Sequence, residues 1–260
     1  MPELLEVERY REVAVTTIGR RITSVHAPDR WFLKGGLDAD GLRAATVGTT
    51  VAAVRRHGKV LLVTLDSEAV LGLRFGMTGR LVVDGRAPIE ALEYGPAIER
   101  PEWDRVTLEF ADGGPLRLND PRRLGGVELD PDLRRLGPDA WGLGLSALRR
   151  ALAGTASPVK AVLLDQSRIA GLGNLLTDEI LWRAGLDPAR PAGGLTEVEL
   201  RRLQRAIRTT LPQLYAQGGS HTGVLQAERH DDGRCPRDGA VLVRRTIGGR
   251  TTRSCPVHQR

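Results

Sequence analysis

Leu163-Leu164-Asp165-Gln166-Ser167-Arg168-Ile169-Ala170-Gly171-Leu172-Gly173-Asn174-Leu175-Leu176 is two apolar runs with a polar, glycine-pinched break between them. The pattern predicts a helix, a double turn and a second helix. Gly171 and Gly173 allow positive φ and close backbone approach at the turn. The first free amides of the second helix, beside Asn174, are expected to face an anion such as a DNA phosphate. Taken alone, the stretch reads better as an ordinary helical hairpin.

Working outward, the same period continues. Leu145 to Leu152 is one helix, and Ser157 with Pro158 opens another that runs to Asp165. Leu175 to Ala184 follows, stopped by Gly185 and Pro188, and Thr196 with Glu199 forms a capping box for a long helix towards Tyr215. On the N-terminal side the period changes to two. Ile22–Val25, Thr50–Val54, Val60–Leu65, Ala69–Leu73, Arg80–Val83 and Arg105–Phe110 read as strands separated by Arg56-His57-Gly58, Asp84-Gly85 and Asp112-Gly113-Gly114. Short strands at this spacing predict an antiparallel sandwich or barrel. Pro131 to Gly144 reads as a linker. The fold class is therefore α+β with several domains: an N-terminal helix plus β-sandwich over 1–130, a helical domain over 131–222, and a C-terminal tail over 223–260 that carries both cysteines, Cys235 and Cys255.

The 260 residues carry a net charge of +6, which points to a polyanionic partner, although an arginine-favouring genome would give the same balance. Lysine occurs three times, at Lys34, Lys59 and Lys160, so each is a candidate for proton transfer that arginine cannot perform. No stretch approaches a membrane span and no leader is evident, which predicts a cytoplasmic protein.

The chain begins Met1-Pro2-Glu3-Leu4-Leu5-Glu6-Val7-Glu8. Proline followed by glutamates is a good helix start, with Leu4, Leu5, Val7, Val13 and Ile18 as its buried stripe. Removal of Met1 would also make Pro2 a secondary amine titrating at roughly pH 8. Such an amine can form a Schiff base, with Glu3 beside it for proton transfer.

The N-terminus and the Leu163–Leu176 stretch together resemble the formamidopyrimidine-DNA glycosylase (Fpg/Nei) family. Its members begin Pro-Glu-Leu-Pro-Glu-Val-Glu and carry a helix–two-turn–helix with a Leu-Leu-Asp-Gln…Ala-Gly-Ile-Gly-Asn core. Arg55-Arg56-His57-Gly58-Lys59-Val60-Leu61-Leu62 is similar to the family's catalytic-lysine segment. Gly76-Met77-Thr78-Gly79 and Asn119-Asp120-Pro121-Arg122-Arg123 resemble its two intercalation loops, and Leu136-Gly137-Pro138-Asp139 its inter-domain stretch. The resemblance covers almost the whole chain.

It implies that Pro2 is the nucleophile, Glu3 the adjacent proton donor and Lys59 an assistant in both base excision and strand cleavage. Met77, Arg122 and Leu124 would fill the hole left by the flipped nucleotide, and Lys160 and Asn174 would hold phosphates near the lesion. Base flipping requires such a wedge on chemical grounds. Arg250, on a hairpin from Leu242 to Arg253, matches the finger arginine that grips the lesion's phosphates and, by the resemblance, takes a catalytic part in the second elimination. The implied partner is double-stranded damaged DNA, bound by a monomer associated with the nucleoid.

Cys235-Pro236-Arg237-Asp238, then sixteen residues, then Cys255-Pro256-Val257-His258 has the spacing of a two-knuckle zinc ribbon. Family members have cysteine at all four positions. Asp238 and His258 can also ligate zinc, so one structural Zn2+ per chain is expected. A metal-free ribbon and a Cys235–Cys255 disulfide are the alternatives, the second disfavoured in a reducing compartment.

Four further positions depart from the family pattern. Leu5 replaces a proline, Leu124 stands where purine-specific members have an aromatic, and Arg74 and Trp103 stand where the family has histidines. The expected function is a bifunctional DNA glycosylase and abasic-site lyase for oxidised purines. An oxidised-pyrimidine or specialised-lesion glycosylase, or a non-catalytic damaged-DNA binding protein, are the alternatives. Gly218 to Asp232 is the candidate lesion-recognition loop, expected to be mobile. No nucleotide or redox cofactor is expected.

Overall fold

The computed structural model describes residues 2–260 except 90, 91, 93, 94 and 97. The chain forms two compact units. The first comprises residues 1–2 and 6–133; the second comprises Glu3–Leu5 and Arg134–Arg260.

In the first unit, helix α1 (Leu4–Ala14, whose first residues are counted with the second unit) precedes strand β1 (Ile22–His26) and helix α2 (Ala39–Thr46). Strands β2 (Val51–His57), β3 (Val60–Leu65), β4 (Val70–Arg74), β5 (Arg80–Val83), β6 (Asp104–Phe110), β7 (Pro115–Asn119) and β8 (Gly126–Leu129) follow. They form two antiparallel four-stranded sheets, ordered β2-β3-β4-β8 and β1-β6-β7-β5. Inward residues of both, among them Leu61, Val63, Leu71, Leu81, Leu108 and Leu118, share one core with Val7 and Tyr10 of α1. Buried positions alternate along β6 and β7, whereas β3 and β5 are buried along nearly their whole length, and the two sheets enclose the shared core as a sandwich does. Strands β7 and β8 and helix α2 lacked a sequence signal strong enough to place them. Ile18, expected in the α1 stripe, lies beyond the helix end and is 44% exposed.

The second unit holds α3 (Leu145–Leu152), α4 (Val159–Leu164), α5 (Asn174–Ala184), α6 (Glu197–Gln217) and the hairpin β9 (Val243–Ile247) and β10 (Arg250–Ser254). Leu4 and Leu5 lie in its core with Leu163, Leu172, Leu176, Ile180 and Leu214. The capping box of α6 forms as expected, Thr196 and Glu199 bonding reciprocally. Pro158, one residue later than expected, is the N-cap of α4. The expected linker packs closely: Ala140 and Leu143 are buried, and Gly137 N–H donates to the Gln166 carbonyl at 2.9 Å. No helix of the described residues is long and apolar enough to cross a membrane.

Candidate active site and metal centre

The double turn is held by Gln166. Its Nε2 donates to the carbonyls of Leu164 (2.8 Å) and Leu172 (2.9 Å), and its Oε1 accepts from Gly171 N–H at 2.9 Å. Gly171 has φ +112°, and a Cβ at Gly173 would overlap the Glu3 side chain. Glycine at 173 therefore makes room for a carboxylate. Glu3 is fully buried and accepts from the amides of Gly173 (2.7 Å), Leu175 (2.8 Å) and Leu176 (3.3 Å). Leu4 N–H donates to the Gly171 carbonyl at 3.1 Å. The anion at the start of α5 is thus Glu3, which corrects the expectation that these amides face a phosphate. Three donors and the positive end of a helix favour the ionised carboxylate. Pro2, one residue away, is also buried.

Two substitutions separate this anchoring from chemistry. Glu3→Ala leaves three buried donors unanswered and should destabilise the protein by on the order of 3 kcal/mol. Glu3→Gln keeps an acceptor and should lose much less stability while losing proton transfer. Denaturant unfolding of both variants checks this; equal destabilisation would mean the carboxylate's charge carries the anchoring.

Lys160 is placed differently from expectation. It is 0% exposed, and its ammonium meets Asp178 Oδ1 at 2.6 Å, Thr252 Oγ1 at 2.7 Å and the Thr251 carbonyl at 3.2 Å. Burial pushes its pKa down, opposed by Asp178. Three donors have three internal acceptors, so a phosphate would have to displace one of them. Arg229 also pairs with Asp178. The segment expected to be a mobile loop is latched to α5 by this pair, by Leu225 N–H on Glu179 Oε2 (2.9 Å) and by the buried Leu225 side chain. Asn174, the first residue of α5, has a buried Oδ1 with no hydrogen-bond partner. Arg250 is exposed at the tip of the β9–β10 hairpin, where it pairs with Ile247 across Gly248 and Gly249. Both glycines have positive φ, as a two-residue hairpin turn demands.

In the first unit, Lys59 is half-buried in the tight turn after Gly58 (φ +57°), between β2 and β3. The residues expected to form the wedge are brought together by topology. The β4–β5 connection leaves one sheet at Arg74 and enters the other at Arg80. The β7–β8 connection returns from Asn119 to Gly126. Arg74 pairs with Gly126 and Arg80 with Asn119, so the two loops run side by side. A Cβ at Gly76 would overlap the backbone of Leu124 and Gly125. Met77 is half-buried, Arg122 exposed and Leu124 49% exposed.

Buried Asp120 joins the loops, accepting from Thr78 Oγ1 (2.6 Å), Arg122 N–H (3.1 Å) and Gly125 N–H (2.8 Å). Arg123, at φ +59°, is held by Asp29 through two bonds of 2.5 and 2.6 Å. Its guanidinium keeps the Asp29 carboxyl below its usual range. Asp120 and Gln166 lie inside the motifs quoted above, yet their bracing roles had no sequence signal. Of the departures, Arg74 faces Glu128 at 3.6 Å and Trp103 stacks under Arg100 at 5.1 Å.

Cys235, Asp238, Cys255 and His258 present one donor atom each, all within 4.8 Å of one another. Both cysteines are free and buried. In each knuckle a main-chain N–H points to the sulfur: Arg237 N–H to Cys235 Sγ and Val257 N–H to Cys255 Sγ, each at 3.4 Å. The Ala240 N–H helps hold the Asp238 carboxyl down at about 2, so the carboxylate is ionised at any physiological pH. His258 turns Nδ1 to the cluster and Nε2 to the Trp182 carbonyl at 3.1 Å. Two sulfurs, one imidazole nitrogen and one carboxylate oxygen fit a tetrahedral divalent ion. His230, 3.8 Å from Glu228, is not part of the cluster.

A sandwich, a helix–two-turn–helix anchored on an N-terminal glutamate and a four-donor tail define the helix–two-turn–helix class of DNA-binding enzymes. Residues 1–127 match the family model for the formamidopyrimidine-DNA glycosylase N-terminal domain, and 136–225 that for its H2TH domain. A formamidopyrimidine-DNA glycosylase of Paracoccus denitrificans is 35% identical, with each chain covered in full. Two crystal structures of the Lactococcus lactis Fpg are similar over the whole fold. One, with an oxidised-pyrimidine DNA, has TM-score 0.83, 28% identity and 100% of both chains covered. The other, with a FAPY-dG DNA, has TM-score 0.83 and 27% identity, covering 99% of this chain and 100% of that one. The chain belongs to the formamidopyrimidine-DNA glycosylase family.

Proposed function

We propose that this protein is a bifunctional DNA glycosylase and abasic-site lyase of base-excision repair, acting on oxidised purines such as 8-oxoguanine and formamidopyrimidines. The observation that carries the reading is Pro2 next to a Glu3 carboxylate locked on three amides, within a family of glycosylases. With Met1 removed, the Pro2 nitrogen attacks C1′ of the flipped nucleotide and the glycosidic bond breaks, releasing the base. Opening of the sugar ring leaves an imine between Pro2 and C1′. Loss of a C2′ proton then expels the 3′ phosphate, and a second elimination expels the 5′ phosphate. Glu3 is the adjacent proton donor. Lys59 assists both stages, and Arg250 and the Asn174 side chain hold phosphates. Met77, Arg122 and Leu124 occupy the vacated stack of a kinked duplex. Zn2+ held by Cys235, Asp238, Cys255 and His258 orders the tail that carries Arg250. The enzyme acts as a monomer on DNA in the cytoplasm.

Strand-cleavage assays over duplexes bearing 8-oxoguanine, formamidopyrimidine, an oxidised pyrimidine or an abasic site test this reading. Preference for the purine lesions supports it. Preference for oxidised pyrimidines would replace the substrate class, and no cleavage of any duplex would reduce the protein to a damage binder.

Leu124 sharpens the test. A half-exposed leucine can wedge between bases but cannot stack as an aromatic does, and stacking is worth about 1–3 kcal/mol per base. Leu124→Phe is expected to raise excision of 8-oxoguanine opposite C by about tenfold, while abasic-site cleavage changes little. No gain on 8-oxoguanine would remove the wedge from the account of specificity. Arg122, with its planar fork, reads the partner base, which favours lesions opposite C.

A further inference from the structure

We infer that Trp182 is a positioning residue of the four-donor centre, holding two of its ligands from the last turn of α5; the inference rests on the zinc reading above. The side chain and the main chain of this one residue each grip a different ligand. The indole Nε1–H donates to Cys235 Sγ at 3.3 Å. The carbonyl accepts from His258 Nε2 at 3.1 Å, and the two rings meet edge to face at 5.8 Å.

Each contact has a chemical consequence. A hydrogen bond at Nε2 fixes the proton there, so Nδ1 presents a lone pair to the cluster. Outer partners of ligating histidines act in this way, orienting the ring and choosing the tautomer. The acceptor is well suited: the Trp182 carbonyl lies at the negative end of the helix and takes the Gly185 N–H (3.0 Å) on one lone pair, which leaves the second for His258. Gly185, the left-handed C-cap at φ +62°, makes the approach possible, because a Cβ there would press on the His258 carbonyl at 3.3 Å.

At Cys235 the indole adds a second N–H to the one from Arg237, so two donors fix the position of the sulfur. Trp182 also closes the small apolar cluster of Leu225, Cys235, Leu242 and Cys255 around the site. This matters more here than at a four-thiolate site, because two of the four ligands are a carboxylate and an imidazole, which bind the ion with less charge transfer than sulfur.

Two measurements on the full-length protein test the inference. In protein loaded with 113Cd, the indole Hε1 of Trp182 should show scalar coupling to the metal, transmitted through Cys235 Sγ. In protein loaded with Co2+, Trp182→Phe keeps an aromatic side chain and removes the pyrrole half of the indole together with its N–H donor. Its sulfur-to-cobalt charge-transfer band should move to longer wavelength, and zinc should pass to a chromophoric chelator about 10–100-fold more readily, the range typical of lost outer-shell partners. Trp141→Phe, whose indole packs on Tyr215, serves as the control and should leave both readings unchanged. Absence of the coupling, with an unchanged Trp182→Phe spectrum, would overturn the inference and leave the metal site standing. Failure of the wild type to take up cobalt or cadmium would overturn the metal site and the inference with it.

Discussion

A single residue retained ahead of Pro2 is expected to abolish covalent trapping of this protein on abasic DNA. Borohydride should reduce the imine of the unblocked protein to a stable adduct with an abasic or lesion duplex. With the amine acylated by a preceding residue there is no nucleophile, and the trapped fraction should fall by roughly 10³-fold or more, as for other enzymes that lose the attacking group. Pro2→Gly replaces the secondary amine with a primary one and should retain a small residual. The structure makes the test a clean one. Pro2 is buried, and the next residue is pinned by bonds to Gly173, Leu175 and Leu176, so the first turn is held independently of what precedes it. A blocked protein should therefore still fold and still bind DNA. An undiminished adduct from it would remove Pro2 from the mechanism and direct attention to Lys59.

Loss of the metal should have the second-largest effect. Purified protein is expected to carry about one zinc per chain. Around the four donors the tail has only a small apolar cluster of its own, which is too little to order it unaided. Metal binding therefore supplies folding free energy to the tail, on the order of 10 kcal/mol in comparable small sites. Stripping the ion with a chelator, or His258→Ala, should unfold the β9–β10 hairpin, displace Arg250 and weaken binding to a lesion duplex by about tenfold or more, which is about 1.4 kcal/mol. Asp238→Ala should lose less, because water can take the fourth position. His258→Ala protein that keeps its zinc and its DNA affinity would refute the assigned ligand set.

The wedge shows where sequence reading and structure part. Met77 and Arg122 were recognisable from two short motifs, but their adjacency was not. It depends on β4 pairing with β8 and β5 with β7, and neither β7 nor β8 announced itself, being short and broken by Pro115, Gly125 and Gly126. Asp120, which ties the loops, is one acidic residue among many until its three donors are seen.

What the amino-acid order determined alone is local. The strand pattern, the capping box at Thr196, the glycine pinch at 171 and 173, the proline before Glu3 and the spacing of the Cys, Asp and His ligands all depend on near neighbours and on the period of one element. Tertiary structure decided where charge goes. The helix start that reads as a phosphate site is filled by Glu3, residues away in sequence beyond any local pattern. Lys160, which the resemblance makes a phosphate ligand, is buried against Asp178 and Thr252. The physical reason is common to both. A buried ion or a helix-end amide must find a partner, and that partner is chosen by packing in three dimensions, on which the period of a single helix carries no information.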